Sequence, residues 1–219
     1  MAVNILVIIG HPIQDSFNHA LARAYADAAR THGAEVQVID LATDATPDHP
    51  RERSDVRLPR SDREIDLDEH VRDYAERLRT ADHIALFYPM WWGTYPAVLK
   101  QFFDRVLLSG DAYASRVHSS SWIRGLRGRT ARIVHTADSP RLFTWLAYRD
   151  SSISSVKTAT LWYTGIRTIG VRYLAPVRSS SPERRRRWLT RIARDGVADA
   201  KRRPEPGKSM AHARDLLST

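Results

Sequence analysis

Short apolar runs alternate with amphipathic stretches along most of the chain, and the two periods predict its elements. Residues 5–9, Ile-Leu-Val-Ile-Ile, form an unbroken apolar run and read as a strand buried on both faces. Asp15 or Ser16 can cap the helix that follows, whose Phe17, Leu21, Ala24, Tyr25 and Ala28 share one side and which ends near Gly33. Residues 36–39 make a second strand. Residues 42–64 hold Pro47, Pro50 and Pro59 with no sustained period, so they read as a long loop, functional or partly disordered. Leu67, Val71, Tyr74, Ala75 and Leu78 space out as a helix, and residues 83–88 are a third strand. Pro96 opens a helix carrying Val98, Leu99, Phe102, Phe103 and Val106. Residues 108–128 show no period, and 131–134 are a fourth strand. Residues 142–163 are helical in pattern with a break at 151–155, and 169–174 are a fifth strand. Ser181-Pro182 starts a last helix with Trp188, Leu189, Ile192, Ala193 and Val197 on one face.

Five strands separated by helices call for an α/β fold: a doubly wound, five-stranded parallel sheet with right-handed crossovers and helices on both faces. One domain over 1–202 accounts for all of them, and 203–219, with Pro204, Pro206 and Gly207, read as a C-terminal tail. Ligands in such sheets bind beyond the carboxyl ends of the strands, at the switch point of the topology. The segments after strands one, three and four are therefore the places for chemistry.

Composition narrows the chemistry. Cysteine is absent from the 219 residues, which excludes a disulfide framework, a Cys-based zinc site and a thiol nucleophile. The apolar run at residues 5–9 has no basic flank and is too short for a signal peptide or a membrane span, so a cytoplasmic protein is expected. The formal charge of +9 is split unevenly, with −5 on residues 1–110 and +14 on 111–219. A basic half suits nucleic acid, an anionic membrane or a phosphorylated small molecule, and composition does not choose among them.

After strand one comes Gly10-His11-Pro12-Ile13-Gln14-Asp15-Ser16-Phe17-Asn18, a loop that opens a helix. Backbone N–H groups and the helix dipole favour an anion there, although Asp15 or Ser16 serving as a plain cap is the competing reading. The segment has neither the glycine spacing of the dinucleotide fingerprint nor a P-loop. After strand three comes Tyr88-Pro89-Met90-Trp91-Trp92-Gly93-Thr94-Tyr95-Pro96. Two adjacent tryptophans of an extended segment cannot both enter the same core, so a flat ligand is the natural cover for them, with core packing or a dimer contact the competing reading. Arg184–Arg187 read as a solvated face. His83 and His118 lack metal-ligand spacing, His19 reads as exposed, and no carboxylate pair or Ser-His-Asp arrangement is visible.

These two segments, with Pro96-Ala97-Val98-Leu99-Lys100, Phe103-Asp104-Arg105-Val106 and Gly110-Asp111-Ala112-Tyr113, resemble the flavodoxin-like NAD(P)H:quinone oxidoreductases, the DT-diaphorase type and its bacterial relatives. The resemblance runs from about residue 3 to 200. It implies a flavodoxin-like fold, tightly bound FMN or FAD, NADH or NADPH as electron donor, a quinone or other aromatic acceptor, and a homodimer with the flavin at the interface. By the same resemblance His11, Ser16, Phe17 and Asn18 hold the phosphate and ribityl end, while Pro89, Met90, Trp91 and Trp92 line the isoalloxazine. Thr136, Ala137 and Asp138 stand in the third flavin loop, in a form closer to bacterial Thr-x-Asp-Thr-Pro than to the animal Thr-Thr-Gly-Gly. The tyrosine and histidine that assist the animal enzymes have no clear counterpart, and Tyr148 is the one candidate catalytic side chain. Trp145 and Tyr148 are the substrate candidates: aromatic residues of 141–148, with Trp91 or Trp92, are expected to roof the flavin and leave a slot for a planar acceptor. The alternatives are an azo-, nitro- or tailoring reductase and a flavin-binding regulatory partner of an ion-efflux system. A nucleic-acid binder would leave Trp91 and Trp92 unexplained.

Overall fold

The computed structural model describes residues 2–59, 67–115 and 121–202. In chain order they form β1 (Asn4–Ile9), α1 (Phe17–Thr31), β2 (Glu35–Asp40), α2 (Glu69–Thr80), β3 (His83–Pro89), α3 (Ala97–Val106), β4 (Tyr113–Ser115), β5 (Trp122–Arg124), β6 (Thr130–Thr136), α4 (Arg141–Tyr148), α5 (Ser151–Ser154), a π-helical segment (Ser155–Trp162), β7 (Arg167–Leu174) and α6 (Pro182–Ala200). The main sheet has the order β2-β1-β3-β6-β7, every pair parallel, with Val7 opposite both Val38 and Ala85. The doubly wound five-stranded sheet is thus as expected. The order reverses between β1 and β3, so the crossovers leave on opposite faces there and their loops part to open a crevice.

Alternation along β1 shows why the strand is apolar throughout. Ile5, Val7 and Ile9 pack on one face with Leu21, Tyr25 and Ala29 of α1 and Ile192 of α6. Leu6 and Ile8 pack on the other with Tyr74 and Leu78 of α2 and Leu99 and Phe102 of α3. Both faces are covered, so neither parity can be polar.

Four details depart from the sequence reading. The buried stripe of α1 runs through Leu21, Ala22, Tyr25, Ala26 and Ala29, with Ala24 and Ala28 at its margin, because α6 packs beside it. The stretch expected to be irregular holds the antiparallel pair β4–β5. The break in the 142–163 helix falls at Arg149 and Asp150, both left-handed at φ 53°, where Asp150 accepts from Arg141 at 2.9 Å. Finally, α6 buries Asp195 and Asp199 along with Ile192, while Ala193 and Val197 are only half-buried. Residues 42–59 are the expected loop apart from a 3-10 turn at Arg53–Val56. Residues 60–66, His118 and the tail from 203 lie outside the described residues. Among the described residues no helix is long and apolar enough to cross a membrane, and no group of three or more His, Cys, Asp and Glu could hold a metal.

The two aspartates of α6 explain themselves at the amino end of the sheet. Asp199 accepts from Arg132 Nε at 2.6 Å and Nη2 at 2.9 Å and from the Tyr25 hydroxyl at 2.9 Å. His83 Nε2 stands 3.2 Å away, with Nδ1 on Thr130 Oγ1 at 2.7 Å. Asp195 takes both arms of Arg172. Burial alone would raise the Asp199 carboxyl, but the hydrogen bonds and charge of Arg132, with the His83 ring close by, hold it far below the usual range. Gly196 lets α6 come this close, since a Cβ there would collide with the Tyr25 carbonyl.

Candidate functional site

Four loops at the carboxyl end of the sheet are tied together by their backbones. Gly10 N–H donates to Phe87 C=O (2.8 Å), Met90 to Thr136 (2.7 Å), Ala137 to Leu174 (3.0 Å) and Val177 to Ala137 (3.0 Å). Between them lies a cavity of about 550 Å³. His11, Phe17 and Asn18 line it from the first loop, Pro89, Met90, Trp91 and Trp92 from the second, Thr136, Ala137 and Asp138 from the third, and Val177 and Arg178 from the fourth. Ten of the eleven candidate cofactor residues therefore share one wall.

Ser16 is the exception, because its hydroxyl turns to His19 Nδ1 at 2.7 Å instead of to the cavity. Val177 and Arg178 carried no motif. Their only signal was position, after the last strand of the sheet. Arg178 donates its backbone N–H to Asp138 at 2.7 Å and keeps its side chain exposed at the rim, with Nε 3.5 Å from the same carboxylate. The basic run 184–187 also does more than face water. Arg185 donates to Ser180 Oγ and Val177 C=O and stacks over Phe17 at 5.6 Å, while Arg184 donates to Ala175 C=O. Both clasp the segment that carries Val177 and Arg178.

Inside the cavity polar groups are only half satisfied. Asn18 is 3% exposed; its Nδ2 donates to Thr136 Oγ1 at 2.9 Å, but its Oδ1 has no partner. A buried acceptor left open is costly unless something donates to it. His11 Nδ1 accepts from Ile13 N–H at 3.1 Å, which leaves Nε2 to carry the proton of the neutral ring. Burial and then the neighbouring His19 hold the His11 ring below its ordinary pKa, and its edge meets Trp91 at 5.6 Å.

The tryptophans sit on a tight turn closed by two bonds of 2.9 Å between Trp91 and Thr94. Both central residues are left-handed, Trp92 at φ 51° and Gly93 at φ 74°. A side chain at φ > 0 is strained, and here the strain holds Trp92 fully out in solvent. Ser151 Oγ donates to Gly93 C=O at 2.5 Å, which ties α5 to this turn.

The substrate candidates are placed differently from the cofactor candidates. Trp145 and Tyr148 do not line the main cavity. They lie on α4, which buries Thr144 alone and exposes Leu142, Phe143, Trp145, Leu146 and Tyr148. Tyr148 covers Gly93 and borders a water-sized void with Met90 and His135. His135 was missed because it reads as one more strand residue. It is buried between Tyr88 and Tyr173, at 5.0 and 5.4 Å, with Nδ1 unpartnered and its pKa pushed down to about 4 by burial.

A family model described as the flavodoxin-like fold matches residues 3–202. The ribosyldihydronicotinamide dehydrogenase-like protein traD of Penicillium crustosum is 33% identical over 129 residues, 53% of this chain and 48% of its own. The matched stretch thus spans about half the length of that relative. Human ribosyldihydronicotinamide dehydrogenase (quinone) is 26% identical over 196 residues, 82% of each chain. The solved FMN-dependent NADH-azoreductase of Bacillus anthracis, in complex with FMN, superposes with a TM-score of 0.73 over 91% of this chain and 100% of its own, at 14% identity, a likeness of fold.

Proposed function

The chain belongs to the family of the flavodoxin-like fold, and from that premise we propose that it is a flavin-dependent NAD(P)H oxidoreductase reducing quinones or similar flat aromatic acceptors by two-electron hydride transfer. One observation carries the reading. The cavity at the carboxyl ends of β1, β3 and β6 combines a helix N-terminus, a buried acceptor without a donor at Asn18 Oδ1, and a wall of Pro89, Met90, Trp91 and Trp92. That donor set fits a phosphorylated, hydroxylated chain joined to a flat ring. FMN is the flavin proposed, supported by the FMN-bound neighbour.

When bound, the flavin supplies hydride acceptance and its onward delivery. The protein's part is to bind and orient. The first-turn amides of α1 would take the phosphate, with Arg178 as a nearby cation. Asn18 Oδ1 would accept from a ribityl hydroxyl, and neutral His11 would donate through Nε2. The strained Trp91–Thr94 turn and Thr136–Asp138 would frame the ring edge through backbone groups. Trp145 and Tyr148 would form the far wall of the acceptor slot.

The exposed apolar run of α4 beside the fully exposed Trp92 supports a homodimer whose interface covers the Trp91–Tyr95 turn or adjoins it. A monomer in sedimentation at micromolar concentration with flavin bound would remove that part. The reading as a whole is tested by colour and turnover. Protein that carries flavin absorbance, is bleached by NADH or NADPH and recovers on adding a quinone supports it. Protein that takes up no FMN in a fluorescence titration overturns it.

A further inference from the structure

Ser16 holds the N-cap of α1, where a serine hydroxyl ordinarily accepts from a first-turn N–H, yet it caps nothing. Its Oγ lies 2.7 Å from His19 Nδ1, and His19 Nε2 lies 3.0 Å from Asp40 Oδ1. From sequence alone His19 is expected to be exposed and no Ser-His-Asp arrangement is visible. The fold makes one, because residues 16 and 19 stand one turn apart on α1 and Asp40 ends the neighbouring strand β2, with His19 only 3% exposed. A carboxylate only accepts, so it takes the Nε2 proton; the neutral ring then presents Nδ1 as an acceptor, and the Ser16 hydroxyl donates into it.

The chain of three is not set for hydrolysis, since Ser16 is not among the residues lining the cavity and offers no nucleophile to a substrate. Its effect is on the helix end, where the first-turn amides of α1 go without a side-chain cap. A second sign of a ligand stands at the same place: Asn18, buried on the cavity wall with Oδ1 unpartnered.

We propose that the Asp40–His19 pair is a latch that draws the Ser16 hydroxyl out of its capping position, so that the N-terminal amides of α1 stay free for the phosphate of the flavin. His19 and Asp40 are positioning residues in this scheme, and the inference rests on the flavin reading above. Released, Ser16 would bond a first-turn N–H and compete with the phosphate. Loss of the latch therefore weakens recognition of the phosphate without touching the ring.

The experiment compares FMN with riboflavin, which lacks the phosphate, by fluorescence titration of the apoprotein. Wild type is expected to prefer FMN. His19→Phe should lose about tenfold of that preference, the scale of a helix-cap interaction, while riboflavin affinity holds. Adding Ser16→Ala to His19→Phe should restore the preference, because no hydroxyl remains to cap the helix. A merely structural role for His19 would weaken both ligands together and would not be rescued by removing Ser16. Should His19→Phe not fold, Asp40→Asn tests the same latch with a smaller loss and the same rescue. A preference unchanged in these variants, or a loss that Ser16→Ala fails to restore, overturns the latch alone; wild type that binds neither flavin overturns the flavin reading and the latch with it.

Discussion

The two ends of the sheet are built on opposite principles. At the amino end Asp199 is 1% exposed and takes hydrogen bonds from Arg132 and Tyr25, with His83 alongside, while Asp195 takes Arg172. Each buried charge there faces an opposite one. At the carboxyl end Asn18 keeps an open acceptor, the α1 terminus has no cap, Trp92 is held left-handed, and large apolar side chains stand in water. Helix α6 spans both, its Arg184 and Arg185 clasping the wall of the cavity and its Asp195 and Asp199 closing the cluster. A site needs groups whose partners arrive with the ligand, and the saturated end supplies the rigidity that lets the other end stay unsatisfied.

The contrast can be broken hardest at Asp199. Asp199→Ala strands Arg132 and the Tyr25 hydroxyl without their acceptor, an expected loss of about 3–5 kcal/mol in urea unfolding. FMN affinity of the folded fraction should not change; a loss of stability below about 1 kcal/mol would mean that the cluster is not the anchor.

Acid separates the two ends next. His135, at the cavity end, is neutral in the folded protein with its pKa pushed down to about 4, against 6.5 when unfolded. The unfolded chain therefore binds the extra proton between those values. Stability is full above pH 6.5 and falls as pH drops to about 4, by about 3 kcal/mol. Asp199 has the same sign at lower pH, since its carboxyl is held below the usual range and its contribution is lost only in stronger acid. His135→Phe should flatten the slope between pH 6.5 and 4, as measured by denaturant midpoints, and an unaltered slope would assign it elsewhere.

Asn18→Ala should reverse the pattern of Asp199→Ala. It removes the open acceptor and a bond to Thr136, so FMN should bind about three- to tenfold more weakly, the scale of a net hydrogen bond, with a smaller effect on stability. Equal flavin affinity in the variant would count against the site. The smallest effect is expected at Trp145, half-exposed on α4. Trp145→Ala should raise KM for a large quinone about two- to fivefold more than for a small one, in keeping with the loss of one stacking partner, at unchanged flavin content. Equal shifts for both quinones would place the acceptor slot away from α4.

The sequence was legible where one local property decides the outcome. Apolar runs such as residues 5–9 and 83–88 can only be strands covered on both faces, and Ser181-Pro182 can start a helix with no help from afar; Ser181 does cap it, accepting from Arg184 N–H at 3.2 Å. The loops after strands one, three and four were legible because a parallel sheet places its loops by topology, and ten candidate residues meet in one cavity for that reason. What stayed hidden depends on a partner remote in sequence. Asp195 and Asp199 read as breaks in an apolar face until Arg132 and Arg172 stand opposite them, and the turn at Arg149 and Asp150 is held by Arg141 and by Ser151 reaching Gly93. His19 reads as a surface residue until Asp40, at the end of the next strand, draws it in. Periodicity records which face of an element is apolar, but the polar group that meets a buried charge is chosen by packing, and only the folded chain brings the two within hydrogen-bond reach.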